Sequence, residues 1–233
     1  MSIRAIDTQF GTRPFIDILI VIAASALAFM AEDLVNAIGL ISVGEGVRGA
    51  FSVVVGALTA ITVVKFRGGT MADLGFTLPA RWATVPFWVA GIFIAFLTAQ
   101  FLAPALVSLF MTLPEPDLSR YDSIAGNLPA AIAMVLILPL TASIPEEIIY
   151  RGFLIGRLET LFGSNAGGAV MAVIVQGLIF GSIHFQWGLG GMIVTMIMGL
   201  VWGTAYLLCG RNLWIVILAH STGHILLVLK LYL

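Results

Sequence analysis

The segment Ser143-Ile144-Pro145-Glu146-Glu147-Ile148-Ile149-Tyr150-Arg151 decides how this chain is read. It sets two carboxylates and a guanidinium inside a long apolar run. The whole chain shares that apolar character. Of its 233 residues, 60% are hydrophobic and only 10% are charged, against about 25% charged in a typical soluble domain. A water-soluble fold of this size would lack the polar surface to cover itself, so the lipid bilayer is the expected solvent. Backbone groups in lipid must be paired within the segment, which makes helices the reading for such runs.

Seven candidate spans of about 20 residues result, at residues 15–32, 49–66, 83–110, 127–150, 167–185, 189–209 and 213–232. The expected fold class is all-α, a polytopic transmembrane helix bundle of about seven spans, within a range of six to eight. It forms a single membrane domain over residues 1–233. The first run is long for a signal-peptide core and is read as an uncleaved first helix. Pro86 and Pro104 in the third candidate, and Pro139 and Pro145 in the fourth, invite tilting or kinking. Trp82, Trp88, Trp187 and Trp214 fall near span ends, where tryptophan is enriched.

Basic residues give an orientation. With a cytoplasmic N-terminus, the inner side holds Arg4, Arg13, Lys65, Arg67, Arg81, Arg151, Arg157 and Arg211. The outer side holds Arg48, Arg120 and Lys230. Eight against three follows the positive-inside rule. The acidic stretch with Glu115, Asp117 and Asp122 then suits an outer loop. The expected location is the cell membrane, multi-pass. A net charge of −1 gives no reason to expect a nucleic-acid partner. Cys209 is the sole cysteine, which excludes an intramolecular disulfide and leaves a small packing residue.

Ionisable groups inside a bilayer are costly, about 2.5–3.5 kcal/mol each at mid-depth on insertion scales, and mark function by default. Glu147 and Arg151 are four residues apart and can pair on one helix face. Glu146 points about 100° away from Glu147, free for chemistry. The three histidines, His184, His220 and His224, all lie in the last fifty residues. His220 and His224 share a helix face, as do Phe180 and His184. A carboxylate base, a neutral imidazole and further N–H donors are what peptide-bond hydrolysis requires. Gly152/Gly156, Gly177/Gly181 and Gly199/Gly203 supply small residues at the spacing that lets membrane helices approach.

The drawn spans conflict with that clustering. They put Glu146 near one end of the fourth helix and His184 at the opposite membrane surface. The remedy is a fourth helix running to about Leu161, with a similar shift of the fifth or a break at Gly188–Gly191.

At these residues the sequence resembles the CAAX protease and bacteriocin-processing (CPBP, Abi) family of intramembrane proteases. Its E-E-x-x-x-R motif is matched by Glu146, Glu147 and Arg151, its F-x-x-x-H motif by Phe180 and His184, and its third motif by His220 with His224. The family usually has Asn or Asp in the position of His224. The match covers residues 125–225; the first half adds only apolar helices and a Leu74-Gly75-Phe76 segment after a basic loop. The resemblance implies an endopeptidase with a glutamate-activated water in a cavity open to the cytoplasm. Glu146 would be the general base, assisted by His184. His220 and His224 would stabilise the oxyanion, and Glu147, Arg151 and Phe180 would support the site. It implies a peptide or protein substrate, which in this family can be lipidated or membrane-anchored, and CAAX-box protein processing is one such activity.

A metal-free mechanism with no cofactor is the expected one. Glu146, His184, His220 and His224 also form a candidate zinc set of one carboxylate and three imidazoles. The absence of H-E-x-x-H weighs against it. Two other readings compete. One is a non-catalytic immunity or scaffold protein, which would be expected to have lost part of the Glu146, His184, His220 set. The other is a transporter, which would be expected to show an internal repeat.

Overall fold

A computed structural model of the chain describes residues 13–37, 45–113 and 119–233. Arg4, Glu115 and Asp117 lie outside the described residues, as do the side chains of Arg48 and Arg120. Among the described residues the regular structure is entirely helical. We number the main helices α1 (Arg13–Ala37), α2 (Glu45–Phe66), α3 (Val85–Val107), α4 (Leu128–Phe162), α5 (Ala166–Ser182), α6 (Gly188–Leu208) and α7 (Leu213–Tyr232). Six of them are long and apolar enough to cross a membrane, and α5 is shorter. The third expected span is too long: the helix stops at Val107, three residues after Pro104, and the chain turns through Phe110.

The largest departure from the drawn spans is α4, which continues past Tyr150 to Phe162. It is 35 residues long, and at 1.5 Å per residue a regular helix of that length reaches about 52 Å. That exceeds the roughly 30 Å hydrocarbon core, so α4 must tilt or project from it. Its hydrogen bonding switches to wide, π-type turns over Pro139–Ser143 and again over Glu147–Ile155. Pro145 accounts for part of this, since proline lacks an N–H and crowds the carbonyl four residues earlier. Such wide turns are frequent at functional sites.

The extension settles the depth conflict. Gly163, with φ +103°, turns the chain, and Asn165 starts α5 by accepting from the Gly168 N–H at 3.0 Å. From this turn Glu146 lies about 24 Å back along α4 and His184 about 27 Å forward along α5. The Tyr150 ring meets the Phe180 ring at 4.9 Å, and Phe180 meets His184 at 5.0 Å, so the stretch of α4 after Glu146 lies beside the end of α5 that leads to His184. Helix α5 ends at Ser182, His184 comes two residues later, and Phe185–Trp187 makes a tight turn before α6 starts at Gly188.

Glycines clamp α5 to α6. A Cβ on Gly181 would stand 2.5 Å from the Met192 carbonyl oxygen, and one on Gly199 would stand 3.0 Å from the Gly177 Cα. The Gly152/Gly156 pair acts differently from a helix–helix motif. A Cβ on Gly152 would lie 2.6 Å from the carbonyl oxygen of Leu74, whereas Gly156 faces open space. Gly152 thus admits the loop that carries Leu74-Gly75-Phe76. That loop is tied to the α6–α7 turn: the Leu213 N–H donates to the Gly75 carbonyl at 2.8 Å, and the Asn212 amide to Thr77 at 2.8 Å.

One end of the bundle is laced by ion pairs. Asp17, nearly fully buried, accepts from Arg67 at 2.8 Å and from Arg157 at 3.1 Å. Arg211 grips Glu159 through two bonds of 2.6 Å, which raises the affinity of its guanidinium for a proton. Arg151 does not belong to this basic end, although the positive-inside count placed it there: it is buried within α4. Cys209 is a buried packing residue whose thiol is pushed up to about 11 by burial.

The two halves of the Gly152/Gly156 spacing should separate by experiment. Gly152→Ala forces its methyl onto backbone and should destabilise the protein by about 1–3 kcal/mol. Gly156→Ala should stay within about 0.5 kcal/mol of the parent. Thermal unfolding in detergent, followed by circular dichroism, reads both; equal melting temperatures for the two variants contradict the packing described.

Candidate active site

Helices α4 and α7 run antiparallel and meet in a ladder with a four-residue step. Ser143 Oγ is 2.9 Å from His224 Nδ1, and Glu147 Oε1 is 2.8 Å from His220 Nδ1. Glu147 Oε1 also accepts from Arg151 Nη1 at 3.1 Å. The side chains of Glu147 and Arg151 are both 0% exposed. Two neighbouring rings support the ion cluster. The guanidinium carbon of Arg151 lies 4.9 Å over the Phe180 ring, a cation–π contact. His220 stacks on Trp202 of α6 at 5.1 Å and 27°. Glu147 Oε2 and Arg151 Nε and Nη2 are buried with no partner among the described residues, as is the side-chain amide of Gln176 on α5.

A second group gathers around Phe180. Its ring contacts Tyr150 edge-on at 4.9 Å and His184 at 5.0 Å. Trp187 covers the other side of His184 at 4.6 Å. The His184 Nδ1 is 2.7 Å from its acceptor, the Phe180 carbonyl oxygen. A carbonyl only accepts, so Nδ1 carries the hydrogen and a neutral His184 presents a lone pair at Nε2. The same reasoning places a hydrogen on Nδ1 of His220, which faces carboxylate oxygen.

The sequence-predicted residues therefore converge in two linked groups. Glu147, Arg151, His220 and His224 form one, His184 belongs to the other, and Phe180 touches both. Helix α4 supplies the carboxylates because its wide turns bring Ser143, Glu147 and Arg151 onto one stripe. Glu146 stands apart from that stripe. It is half-buried and forms no hydrogen bond or ion pair with any described residue. His184, His220 and His224 are likewise half-buried, while Ser143, Glu147 and Arg151 are fully enclosed. The interior groups are locked and the outward ones are available.

No group of three or more His, Cys, Asp or Glu residues is arranged to hold a metal ion among the described residues. His220 and His224 each use Nδ1 toward a protein partner, which leaves Nε2 of each ring open, and Glu146 is not drawn into either contact.

Three participants escaped the sequence reading. Ser143 was visible only as part of the decisive segment, although its four-residue spacing from Glu147 was a usable signal. Trp202 and Gln176 carried no signal, because what they touch depends on how α5 and α6 cross. A groove of about 810 Å³ between α3 and α6 is apolar and contains none of the site residues.

The fold and site define a multi-pass helical membrane protein in which the Glu147 carboxylate meets His220 inside the bundle. Residues 128–226 match the family described as Type II CAAX prenyl endopeptidase Rce1-like. The segment is thus similar to the CAAX protease family, and the likeness supports peptidase chemistry in general. The comparisons with curated proteins and with solved structures found no match.

Arg151 is the member of the ion cluster whose loss should matter most for folding. Arg151→Ala strands Glu147 as a buried charge, and breaking a buried pair costs about 3–5 kcal/mol. The yield of folded, monodisperse protein should fall sharply. Replacing both partners, Glu147→Leu with Arg151→Met, should recover much of it. A single variant as stable as the parent contradicts this account of the cluster.

Proposed function

We propose that this protein is an intramembrane endopeptidase that hydrolyses peptide bonds with a water activated by Glu146. The observation that carries the reading is the division of labour between adjacent carboxylates. Glu147 is spent on Arg151 and His220, while Glu146 is half-buried and unpartnered among the described residues. A base must be free to accept a proton, and Glu146 meets that condition.

In this mechanism Glu146 removes a proton from water as the oxygen attacks the scissile carbonyl. His184, with its hydrogen fixed on Nδ1 by Phe180, accepts from the same water through Nε2. It then helps return a proton to the departing amine. His220 and His224 flank the developing oxyanion; neutral His224 donates an N–H bond to it, and His220, whose Nδ1 hydrogen is given to Glu147, donates only when its ring is protonated. Glu147 and Arg151 hold His220 and the α4 stripe in place. The reaction needs no metal in this reading. Peptides that carry a lipid or a membrane anchor are the proposed substrates. The basic end with Arg13, Lys65, Arg67, Arg157 and Arg211 would face the cytoplasm, placing the N-terminus there.

A quenched-fluorescence library of peptides, with and without C-terminal lipids, tests the reading on purified protein in nanodiscs. Wild type should cleave members of the library, and chelator should leave the rate unchanged. Glu146→Gln should lose about 10²–10⁴-fold in rate, the usual share of general acid–base catalysis, at an unchanged melting temperature. Equal rates in Glu146→Gln and wild type remove glutamate catalysis, and inactivation by chelator reversed by added zinc removes the metal-free route.

A further inference from the structure

We infer that Ser143 is a positioning residue: its hydroxyl donates to His224 Nδ1, fixing the ring hydrogen on Nε2 so that neutral His224 can donate to the oxyanion. The inference rests on the proposed peptidase reading for its role in catalysis, but not for the tautomer itself.

The local geometry of α4 supports the assignment. Serine and threonine hydroxyls in helices can donate to a carbonyl three or four residues back. This protein follows that habit at Thr141, whose hydroxyl donates to Ile137 at 2.9 Å, and at Thr195, Thr222 and Ser182. Ser143 departs from it. The carbonyl four residues back belongs to Pro139 and receives the Ile144 N–H in the wide turn, and the Ser143 hydroxyl turns to His224 instead of to it. Ser143 is 0% exposed, and His224 Nδ1, at 2.9 Å, is its one hydrogen-bond partner among the described residues.

Two arrangements of the shared hydrogen are possible. In one, His224 donates from Nδ1 and Ser143 accepts. The hydroxyl hydrogen of Ser143 then has no acceptor in a fully buried position. An orphaned buried donor costs about 1–3 kcal/mol. In the other, Ser143 donates and the basic imidazole nitrogen accepts. Only lone pairs on Oγ are left over, which is the cheaper deficit. The second arrangement wins, and a neutral imidazole that accepts at Nδ1 must carry its hydrogen at Nε2.

The consequence separates the three histidines. His184 and His220 hold hydrogens on Nδ1 through Phe180 and Glu147. When neutral, each shows a lone pair at Nε2. His224 alone shows an N–H there in the neutral state. His224 takes the place where the resembling family usually has Asn or Asp, and an Asn amide would carry its own N–H. Ser143 thus supplies what a histidine in that position lacks, a fixed hydrogen direction. The antiparallel ladder makes the pairing specific: the step that sets Glu147 against His220 sets Ser143 against His224.

Two measurements on the full-length protein in nanodiscs test this. The first uses ¹⁵N-labelled histidine and long-range ¹H–¹⁵N correlation, at a pH where the titration shows His224 neutral. Wild type should show His224 protonated at Nε2, and Ser143→Ala should show a mixture of tautomers or the Nδ1–H form. An Nδ1–H form in wild type, or no change in Ser143→Ala, overturns the inference whether or not the protein cleaves peptides. The second is a double-mutant cycle on cleavage. Ser143→Ala should lower kcat about tenfold or more in the His224 protein, since a lost oxyanion donor costs up to about 10²–10³-fold. Ser143→Thr, which keeps a hydroxyl, should restore most of that loss. Against the His224→Asn background, measured from that variant's own rate, Ser143→Ala should have no further effect. Equal losses in both backgrounds show a packing role and overturn the inference. If no variant nor wild type cleaves any peptide, the peptidase reading fails, and the tautomer measurement still decides the hydrogen-bond assignment.

Discussion

A buried carboxylate that must not be left alone organises the second half of this protein. Glu147 sits with no exposure inside the bundle. Desolvating such a group costs several kcal/mol unless opposite charge and hydrogen-bond donors repay it. Arg151 and His220 supply both at a single oxygen. Meeting that demand ties α4 to α7 directly. The cation of Arg151 needs cover in turn, and the Phe180 ring provides it from α5. The ring of His220 is held flat against Trp202 of α6. Four helices are therefore fixed around one ion cluster.

The backbone makes room for the cluster. A regular α-helix turns about 100° per residue, so residues four apart drift around its axis. The wide turns of α4 need more residues per revolution and reduce that drift. Ser143, Glu147 and Arg151 consequently form a straighter stripe, which His220 and His224 can match from α7. Glycines at the α5–α6 crossing bring Phe180 and Trp202 close to that stripe. The Leu74 carbonyl presses into the notch at Gly152, which joins the loop after α2 to the same helix.

Adjacent carboxylates in this setting have unlike fates. Glu147 is enclosed and paired, while its neighbour Glu146 keeps a half-buried carboxylate with no partner among the described residues. Half-burial also marks His184, His220 and His224. The support is enclosed, and the half-buried titratable groups lie at its edge. A low-dielectric surround strengthens every fixed dipole aimed at that edge.

Much of this was legible in the residues alone. Composition required the bilayer, apolar runs required helices, and the four-residue spacing of Glu147 and Arg151 required a pair. The confinement of three histidines to the last apolar segments located the candidate site. Sequence also held the clue that α4 must continue beyond Tyr150, because Glu146 and His184 could not otherwise share a depth. Other features needed the folded chain. A span count could not show that Arg151 is buried, since an arginine near a drawn helix end looks like a loop cation. Nor could spacing reveal that Gly152 receives a carbonyl rather than a helix. The partner of each histidine Nδ1 likewise depends on helix register, which long-range packing sets. Periodicity within one helix reports which residues share a face; only the crossing of helices decides what that face meets.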